Sequence, residues 1–167
     1  MQNRNDDEGR EKVIDLINEV GYAQMVTHGP GGMMHSRPMV ATQAGDDGMI
    51  WFMTRDGSRK VEELEADPRV LLVYSDGDEQ NYVSLAGHAE VVRDRGKIVE
   101  QWSEPLRTWF PKGVDDPAIA LLCVKPSVAE YWDAPSSTFV HVYGYLKSTL
   151  TGEPPRPGDI GHVDMKG

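Results

Sequence analysis

A basic segment that follows a predicted strand carries the most chemical information in this sequence. Thr54 ends the strand, Gly57 forms a turn, and Ser58 begins a short helix whose first residues are Arg59 and Lys60. Acidic side chains normally stabilise the first helical turn, since the helix dipole is positive there. Two cations in that turn therefore indicate an anion bound by free backbone N–H groups, hydroxyls and both charges. A phosphate is the natural occupant.

A second candidate segment lies in an earlier strand, where Arg37 is followed by Pro38, Met39 and Val40. Proline cannot donate to a strand ladder, so this strand is predicted to have one side free of pairing. A planar ring needs an apolar wall with a few backbone donors and acceptors at its edge. Met39 and Val40 would supply part of that wall. The next strand would supply the rest through Trp51, Phe52 and Met53.

Both segments also have an interpretation that involves no ligand. Arg59 and Lys60 would then be exposed and form weak surface ion pairs. The acidic partners within reach along the chain are Asp56, Glu62 and Glu63. Arg37 would point to solvent, and the apolar residues of the two strands would belong to the core. The residues alone leave both interpretations open.

Other kinds of site find little support. The five histidines show no metal-ligand spacing, and neither a nucleophile elbow nor a glycine-rich phosphate loop occurs. Cys123, the single cysteine, lies among apolar residues and is predicted to be a buried thiol. The net charge of −10 opposes binding to nucleic acid or to an anionic membrane. The polar N-terminus and the absence of a long apolar stretch predict a cytoplasmic protein.

Short secondary-structure elements must position these segments. Apolar residues spaced i, i+3, i+4 and i+7 predict a surface helix over residues 9–20. Two short helices are predicted after Ser58 and over residues 94–110, the second with a break at Pro105. A bulge or close backbone approach is expected at Gly87, and the strand over 70–74 should be covered on both faces. Strands are predicted over residues 22–27, 34–42, 49–54, 70–74, 82–92, 119–132 and 138–146.

Six or so strands with one N-terminal and two inserted helices predict a mainly β fold, a small antiparallel barrel. Closure of the barrel would remove the exposed strand edges. Residues 1–8 are predicted to be a disordered N-terminus and residues 9–152 a single domain. Residues 153–167 are rich in proline and glycine and are predicted to form a flexible tail or an arm on a partner.

The order of these motifs resembles the FMN site of the pyridoxamine 5′-phosphate oxidase superfamily. The matching residues are Arg37, Pro38, Met39 and Val40, then Phe52, Met53 and Thr54, then Gly57, Ser58, Arg59 and Lys60. Residues 83–90, 102, 109–111 and 130–133 continue the similarity, in particular to the general stress protein branch. The likeness covers residues 9–152. It implies a six-stranded, FMN-binding split β-barrel that works as a homodimer.

The resemblance also implies roles for individual residues. Arg37, Arg59 and Lys60, assisted by Ser58, would bind the FMN phosphate. The backbone of residues 38–40 and 52–54 would line the ring and the ribityl chain. FMN lies at the dimer interface in this superfamily, so Trp132 would reach the flavin from the second subunit. Trp109 is a further candidate, and packing in the core or interface remains an alternative for both tryptophans.

Departures from the true oxidases argue against oxidation of pyridoxamine phosphate itself. Thr42 stands where the oxidases carry a substrate-binding lysine, and Tyr82 stands where they carry a flavin-contacting glutamine. Residues 133–137 replace an arginine and histidine segment that grips the substrate. Glu100 and Glu104 predict an acidic surface that would repel a second phosphate.

Two classes of function follow from the resemblance. The first is an FMN-dependent oxidoreductase of unassigned small-molecule substrate, related to stress response, in which FAD could replace FMN. The second is a non-catalytic flavin-binding protein for sensing or storage. Haem or a deazaflavin would be another planar ligand for such a barrel. No residue is assigned a catalytic role, and no metal site is expected.

Overall fold

Seven strands and three α-helices make up the part of the chain that the structure describes. The computed structural model describes residues 6–44, 47–133 and 159–166. The strands are β1 (Tyr22–His28), β2 (Met34–Ala44), β3 (Ile50–Arg55), β4 (Arg69–Asp76), β5 (Asn81–Val92), β6 (Ile119–Asp133) and β7 (Asp159–Asp164). The helices are α1 (Asp6–Val20), α2 (Arg59–Ala66) and α3 (Arg95–Gln101), with 3₁₀ helices at Pro30–Gly32 and Glu104–Thr108.

The first six strands form a closed antiparallel barrel. Their neighbour order is β3-β2-β1-β4-β5-β6, and pairing of β6 back to β3 closes the ring. Closure pairs the strand edges that an open sheet would present to solvent. The predicted six-stranded antiparallel barrel is therefore confirmed.

Strand β6 changes its partner along its length. Its residues 119–124 pair with β3, whereas residues 128–133 pair with β7. On its other side β6 follows β5, with a register shift between Ala86 and Gly87. A Cβ atom at Gly87 would lie 2.4 Å from the carbonyl oxygen of Lys125. The predicted bulge or close approach at Gly87 is confirmed, and only glycine fits there.

Two hydrophobic clusters hold the elements together. The larger cluster fills the barrel and includes Val13, Leu16 and Ile17 of α1, which confirms the apolar stripe predicted for this helix. The smaller cluster lies under α3 and joins it to β3 and β6. Its buried members are Met53, Ile98, Phe110, Ile119 and Leu121. This second cluster fixes the segment that follows α3 beside β3.

The prediction that residues 70–74 are covered on both faces is wrong for the single chain. Burial alternates along β4, so that Val70 and Leu72 face the core while Leu71 is 36% exposed. The continuous apolar run reflects two different surfaces, because the outward face of β4 lies on the outside of the barrel.

The predicted ends of the domain also need correction. Residues 159–164, assigned to a flexible tail, form β7, because alternate residues such as Gly161 and Val163 are buried against β6 and α1. Helix α1 begins at Asp6, inside the segment predicted to be disordered. The strand predicted over residues 138–146 lies outside the described residues.

The helix predicted over residues 94–110 is divided in two. Helix α3 ends at Gln101, and the 3₁₀ helix begins at Glu104, so the break precedes Pro105. Proline is accommodated in the first turn of a helical segment, because an N–H at that position would have no helical acceptor.

Over the described residues, none of the helices combines the length and the apolar character needed to span a membrane.

Candidate functional site

An opening in the barrel wall lies between β2 and β3. Among the described strands, residues 34–40 of β2 pair only with β1, and β2 meets β3 only over residues 41–44. Strand β3 turns its other edge to β6. The expectation that the strand containing Pro38 has one side free of pairing is therefore confirmed. This opening exposes a stretch of β2 backbone beside the end of β3.

Helix α2 begins at this opening. Gly57 has a φ of 72° in the turn after β3, a conformation that suits glycine. Ser58 occupies the N-cap position, and its carbonyl accepts hydrogen bonds from two amides of the first turn. Its hydroxyl does not cap the helix but accepts from Lys60 Nζ at 3.3 Å. The amides of Arg59 and Lys60 are left without a helical acceptor.

Glu63 is a buried carboxylate that connects α2 to β1 and β2. Its Oε1 accepts from His35 Nδ1 at 2.7 Å and from Arg59 Nε at 3.0 Å. Its Oε2 accepts from Thr27 Oγ1 at 2.6 Å and from Arg37 Nη2 at 3.1 Å. Glu63 is only 4% exposed. The sequence had suggested it only as a partner in a weak surface pair.

Electrostatics keep Glu63 ionised despite its burial. Burial raises the pKa of its carboxyl, but hydrogen bonds from Thr27 and His35 and the charge of Arg37 outweigh that effect and hold the pKa at about 2. His35 donates through Nδ1 to Glu63, while its Nε2 lies 2.9 Å from Nη2 of Arg59. Since a guanidinium can only donate, Nε2 of His35 is the acceptor in the contact with Arg59, and Nδ1 is the donor toward Glu63.

Two adjoining cavities share Lys60 as a lining residue. The first, of about 450 Å³, is lined by Met34, His35, Ser36, Arg37, Arg59 and Lys60. The second, of about 280 Å³, lies at the opening between β2 and β3. Its lining residues are Pro38, Met39, Val40, Met53, Thr54, Arg55, Ser58, Lys60, Leu106, Trp109 and Phe110. A polar, cationic cavity therefore adjoins a largely apolar one.

Residues after α3 form the outer wall of the second cavity. Arg55 holds this wall, because its Nη2 donates to the carbonyl oxygen of Trp109 at 3.2 Å. The Arg55 guanidinium also lies 5.6 Å from the ring centroid of Phe110, within cation–π range. Sequence reasoning missed Arg55, Leu106 and Phe110 as lining residues. The only available signal was that Arg55 ends β3 and that Phe110 follows Trp109.

The structure brings together most of the residues that the sequence predicted. Eight of them line the second cavity, namely Pro38, Met39, Val40, Met53, Thr54, Ser58, Lys60 and Trp109. Arg37 and Arg59 line the first cavity. Phe52 lines neither, because it points into the barrel and is fully buried there. Trp132 pairs with Tyr82 across β6 and β5, and both side chains are exposed on the outer face.

The predicted acidic surface near α3 needs correction. Glu100 pairs with Lys97 Nζ at 2.9 Å, and Glu104 pairs with Arg107 Nε at 2.9 Å. Each carboxylate is offset by a cation three residues away on the same element, so this region has little net negative charge. Glu100 and Glu104 therefore do not support the predicted repulsion of a second phosphate.

The hydroxyl of Thr42 serves a structural purpose. It lies 3.1 Å from the carbonyl oxygen of Trp51 and 2.7 Å from Oε1 of Gln101. These contacts join β2 to β3 and α3.

Cys123 is half-buried on β6, and burial raises the pKa of its thiol. The predicted buried thiol is thus only half-buried, although its raised pKa disfavours the reactive thiolate.

Comparison with known proteins identifies similar chains. The family model for pyridoxamine 5′-phosphate oxidase-like proteins matches residues 8–156. General stress protein 26 of Bacillus subtilis is 31% identical over 132 residues, which cover 77% of this chain and 91% of that relative.

Two crystal structures show how closely the fold agrees with solved proteins. A general stress protein 26 from Jannaschia sp. CCS1 superposes with a TM-score of 0.77 at 29% identity, covering 95% of this chain and 99% of the other. The general stress FMN/FAD binding protein from Xanthomonas citri superposes with a TM-score of 0.68 at 27% identity, covering 78% and 92%.

Proposed function

Because the chain belongs to the pyridoxamine 5′-phosphate oxidase-like family, we propose that it is a flavoprotein that binds FMN at the opening between β2 and β3 and works as an oxidoreductase on a small molecule. Its relatives in the general stress protein group suggest a role in stress response. One observation carries the proposal: the cations at the start of α2 adjoin an apolar cavity of about 280 Å³.

The first cavity has the chemistry that a phosphate group requires. Arg37, Arg59 and Lys60 line it. The unbonded amides at the start of α2 lie at the positive end of the helix dipole and would attract an anion. Burial, followed by the charge of Arg37, lowers the pKa of Lys60. Cations held this close repel one another, and a phosphate dianion would relieve that repulsion.

The second cavity has the chemistry that a flavin ring requires. Met39, Val40 and Met53 form apolar walls, and Trp109 lies at its edge with 65% of its surface exposed. Thr54 and Ser58 supply hydroxyls at the end nearest Lys60. An apolar slot with polar groups at one end suits a planar ring with a polar chain. Phosphate and ring would thus occupy adjoining cavities that meet at Lys60.

FMN supplies hydride and single-electron transfer when bound, and the protein contributes binding, orientation and access. In this chain the exposed side chain of Trp109 would limit access of water to one side of the cavity. Arg55 would keep Trp109 in position through its bond to the backbone of that residue. The substrate would approach from the solvent side of the cavity.

A second copy of the chain is part of the proposal. Strands β2, β1, β4, β5 and β6 present exposed apolar side chains on the outer face of the barrel. They are Val40, Tyr22, Leu71, Tyr82 and Trp132. Apolar surface of this kind on a monomer marks an interaction site. We expect this face to be covered in a homodimer, in which Trp132 would belong to the partner's flavin site.

One observation favours a second candidate, a flavin-binding protein without turnover. Within the described part of the chain, the lining of the second cavity includes no histidine or carboxylate that could move a proton. A sensor or a flavin store needs no such group. The two candidates differ in whether the bound flavin exchanges electrons rapidly with a donor.

The absorption spectrum of the purified protein and its reduction kinetics test both candidates. An oxidised flavin spectrum, released as FMN on denaturation, would support FMN binding, whereas a Soret band or no chromophore uptake from added FMN would contradict it. Anaerobic mixing of the FMN-loaded protein with NADH or NADPH then separates enzyme from carrier. Bleaching within seconds supports the oxidoreductase, and an unreduced flavin with either donor supports the carrier.

A further inference from the structure

We propose that Glu63 is a positioning residue of the phosphate site, which fixes Arg37 and Arg59 for the flavin phosphate through its two carboxylate oxygens. This inference rests on the proposed function, because it concerns the same site. Glu63 lines neither of the two cavities assigned to FMN. It therefore acts through the residues that do line them.

Each arginine is held by Glu63 yet keeps donors for a ligand. A guanidinium carries five N–H donors. Among the described residues, Arg37 donates to Glu63, Thr27 and the carbonyl oxygen of Met25. Arg59 donates to Glu63 Oε1 and lies against His35 Nε2. Some N–H groups of both arginines therefore stay uncommitted while the guanidinium planes are fixed.

The two oxygens of Glu63 have separate tasks. Oε2 holds Arg37 together with Thr27, whereas Oε1 holds Arg59 together with His35. A glutamine has one oxygen and an NH₂ group in place of the second. In Glu63→Gln the NH₂ group would face one of the two donor pairs, either Thr27 with Arg37 or His35 with Arg59, and could not accept their hydrogen bonds. One of the two arginines would then lose its fixed position.

Considered by charge alone, Glu63→Gln should strengthen phosphate binding, whereas loss of positioning should weaken it. The cluster contains Arg37, Arg59 and Lys60 against the single carboxylate of Glu63. Replacing Glu63 by a neutral residue makes the cluster more positive, which by Coulomb's law should strengthen phosphate binding. If Glu63 positions the arginines, the loss of fixed donors outweighs that gain. The sign of the change in affinity therefore distinguishes the two effects.

Titration of the full-length protein with FMN and with riboflavin, which lacks the phosphate, measures this sign. We expect Glu63→Gln to weaken FMN binding by about ten- to a hundredfold, since charge-assisted hydrogen bonds to the phosphate are lost. Riboflavin affinity should stay within about twofold. Glu62→Gln is the matched control, because it removes the same charge from an exposed position of the same helix. It should leave both affinities unchanged.

The outcomes separate this inference from the proposed function. A wild-type protein that binds neither FMN nor riboflavin overturns the proposed function. A wild-type protein that binds FMN, with a Glu63→Gln variant that binds FMN equally or more tightly, overturns the inference alone. Equal losses of FMN and riboflavin affinity would also overturn it, because they indicate general damage to the site.

A second variant keeps the test decisive if Glu63→Gln does not fold. His35→Ala removes the donor to Oε1 and the contact with Arg59. This variant should fold, because the His35 side chain is partly exposed to solvent. We expect a several-fold loss of FMN affinity with riboflavin affinity unchanged. Unchanged FMN affinity in His35→Ala would contradict the proposed positioning of Arg59.

Discussion

Lys60 Nζ lies 3.0 Å from Oγ1 of Thr54, a contact that joins the first turn of α2 to the end of β3. Lys60 lines both cavities, and its pKa is lowered by burial and then by the charge of Arg37. The hydrogen bond to Thr54 holds Lys60 at the polar end of the second cavity. Lys60 is therefore the residue at which the phosphate and ring parts of a ligand would meet.

The double variant Arg59→Ala with Lys60→Ala should lose about a hundredfold or more in FMN affinity, because it removes two charge-assisted donors from the phosphate. Riboflavin affinity should change far less. A fluorescence titration with both ligands measures the effect. The double variant Lys125→Ala with Lys166→Ala is the matched control, since both lysines are exposed and lie outside the cavities. An unchanged FMN affinity in the first variant would remove the phosphate assignment.

Trp109→Ala should weaken FMN and riboflavin by the same factor, roughly five- to tenfold, because the indole contacts the ring cavity and not the phosphate site. The protein should remain as stable as wild type, since Trp109 is mostly exposed. The same titration and a thermal melt give both results. Val99→Ala, at another exposed apolar position, should change neither affinity. A loss confined to FMN would be inconsistent with the ring assignment.

Acid should remove the stability that Glu63 provides. Its pKa is about 2 in the folded protein against about 4.5 in an unfolded chain, so its contribution is fully present only above about pH 5. It is lost as the pH falls from about 5 to about 2, and amounts to about 3 kcal/mol. Urea unfolding of wild type and Glu63→Gln at pH 7 and pH 3 measures it. We expect the difference in unfolding free energy to shrink at pH 3; a constant difference would argue against a depressed pKa.

Leu71→Glu should convert the protein to a monomer. The variant places a charge in the middle of the exposed apolar face of β4, where burial against a second copy would be costly. Sedimentation velocity should give twice the chain mass for wild type and the chain mass for the variant. Val99→Glu, on α3 outside this face, should stay dimeric. A monomeric wild-type protein that retains flavin would contradict the expected homodimer.

Short-range patterns in the sequence predicted the strands of the barrel and the start of α2, whereas the assignment of the site residues to a flavin followed from the family resemblance. Runs of β-forming residues bounded by turns predicted the strands of the barrel. Proline at position 38 predicted the unpaired side of β2, and glycine followed by Ser58 predicted the start of α2. These signals reflect backbone geometry, which a few neighbouring residues determine.

The burial of Glu63 could not be predicted in the same way. Glu62 and Glu63 are adjacent acidic residues of one helix, and nothing in their neighbours distinguishes them. Glu63 is buried because Thr27, His35 and Arg37 face it from two other strands, an arrangement that exists only after folding. Strand β7 escaped prediction for a related reason, since it lies in a segment rich in proline and glycine and becomes a strand by pairing with β6.

The position of a small cationic site on an acidic chain has a kinetic consequence. The molecule carries a formal charge of −10, so a phosphate dianion is repelled once it comes within the Debye length of about 10 Å of the surface. Added salt screens this repulsion and should speed association. The same salt weakens the short-range attraction to Arg37, Arg59 and Lys60, and should also speed release. Ionic strength would then set how quickly the protein exchanges its ligand more than how much of it is loaded.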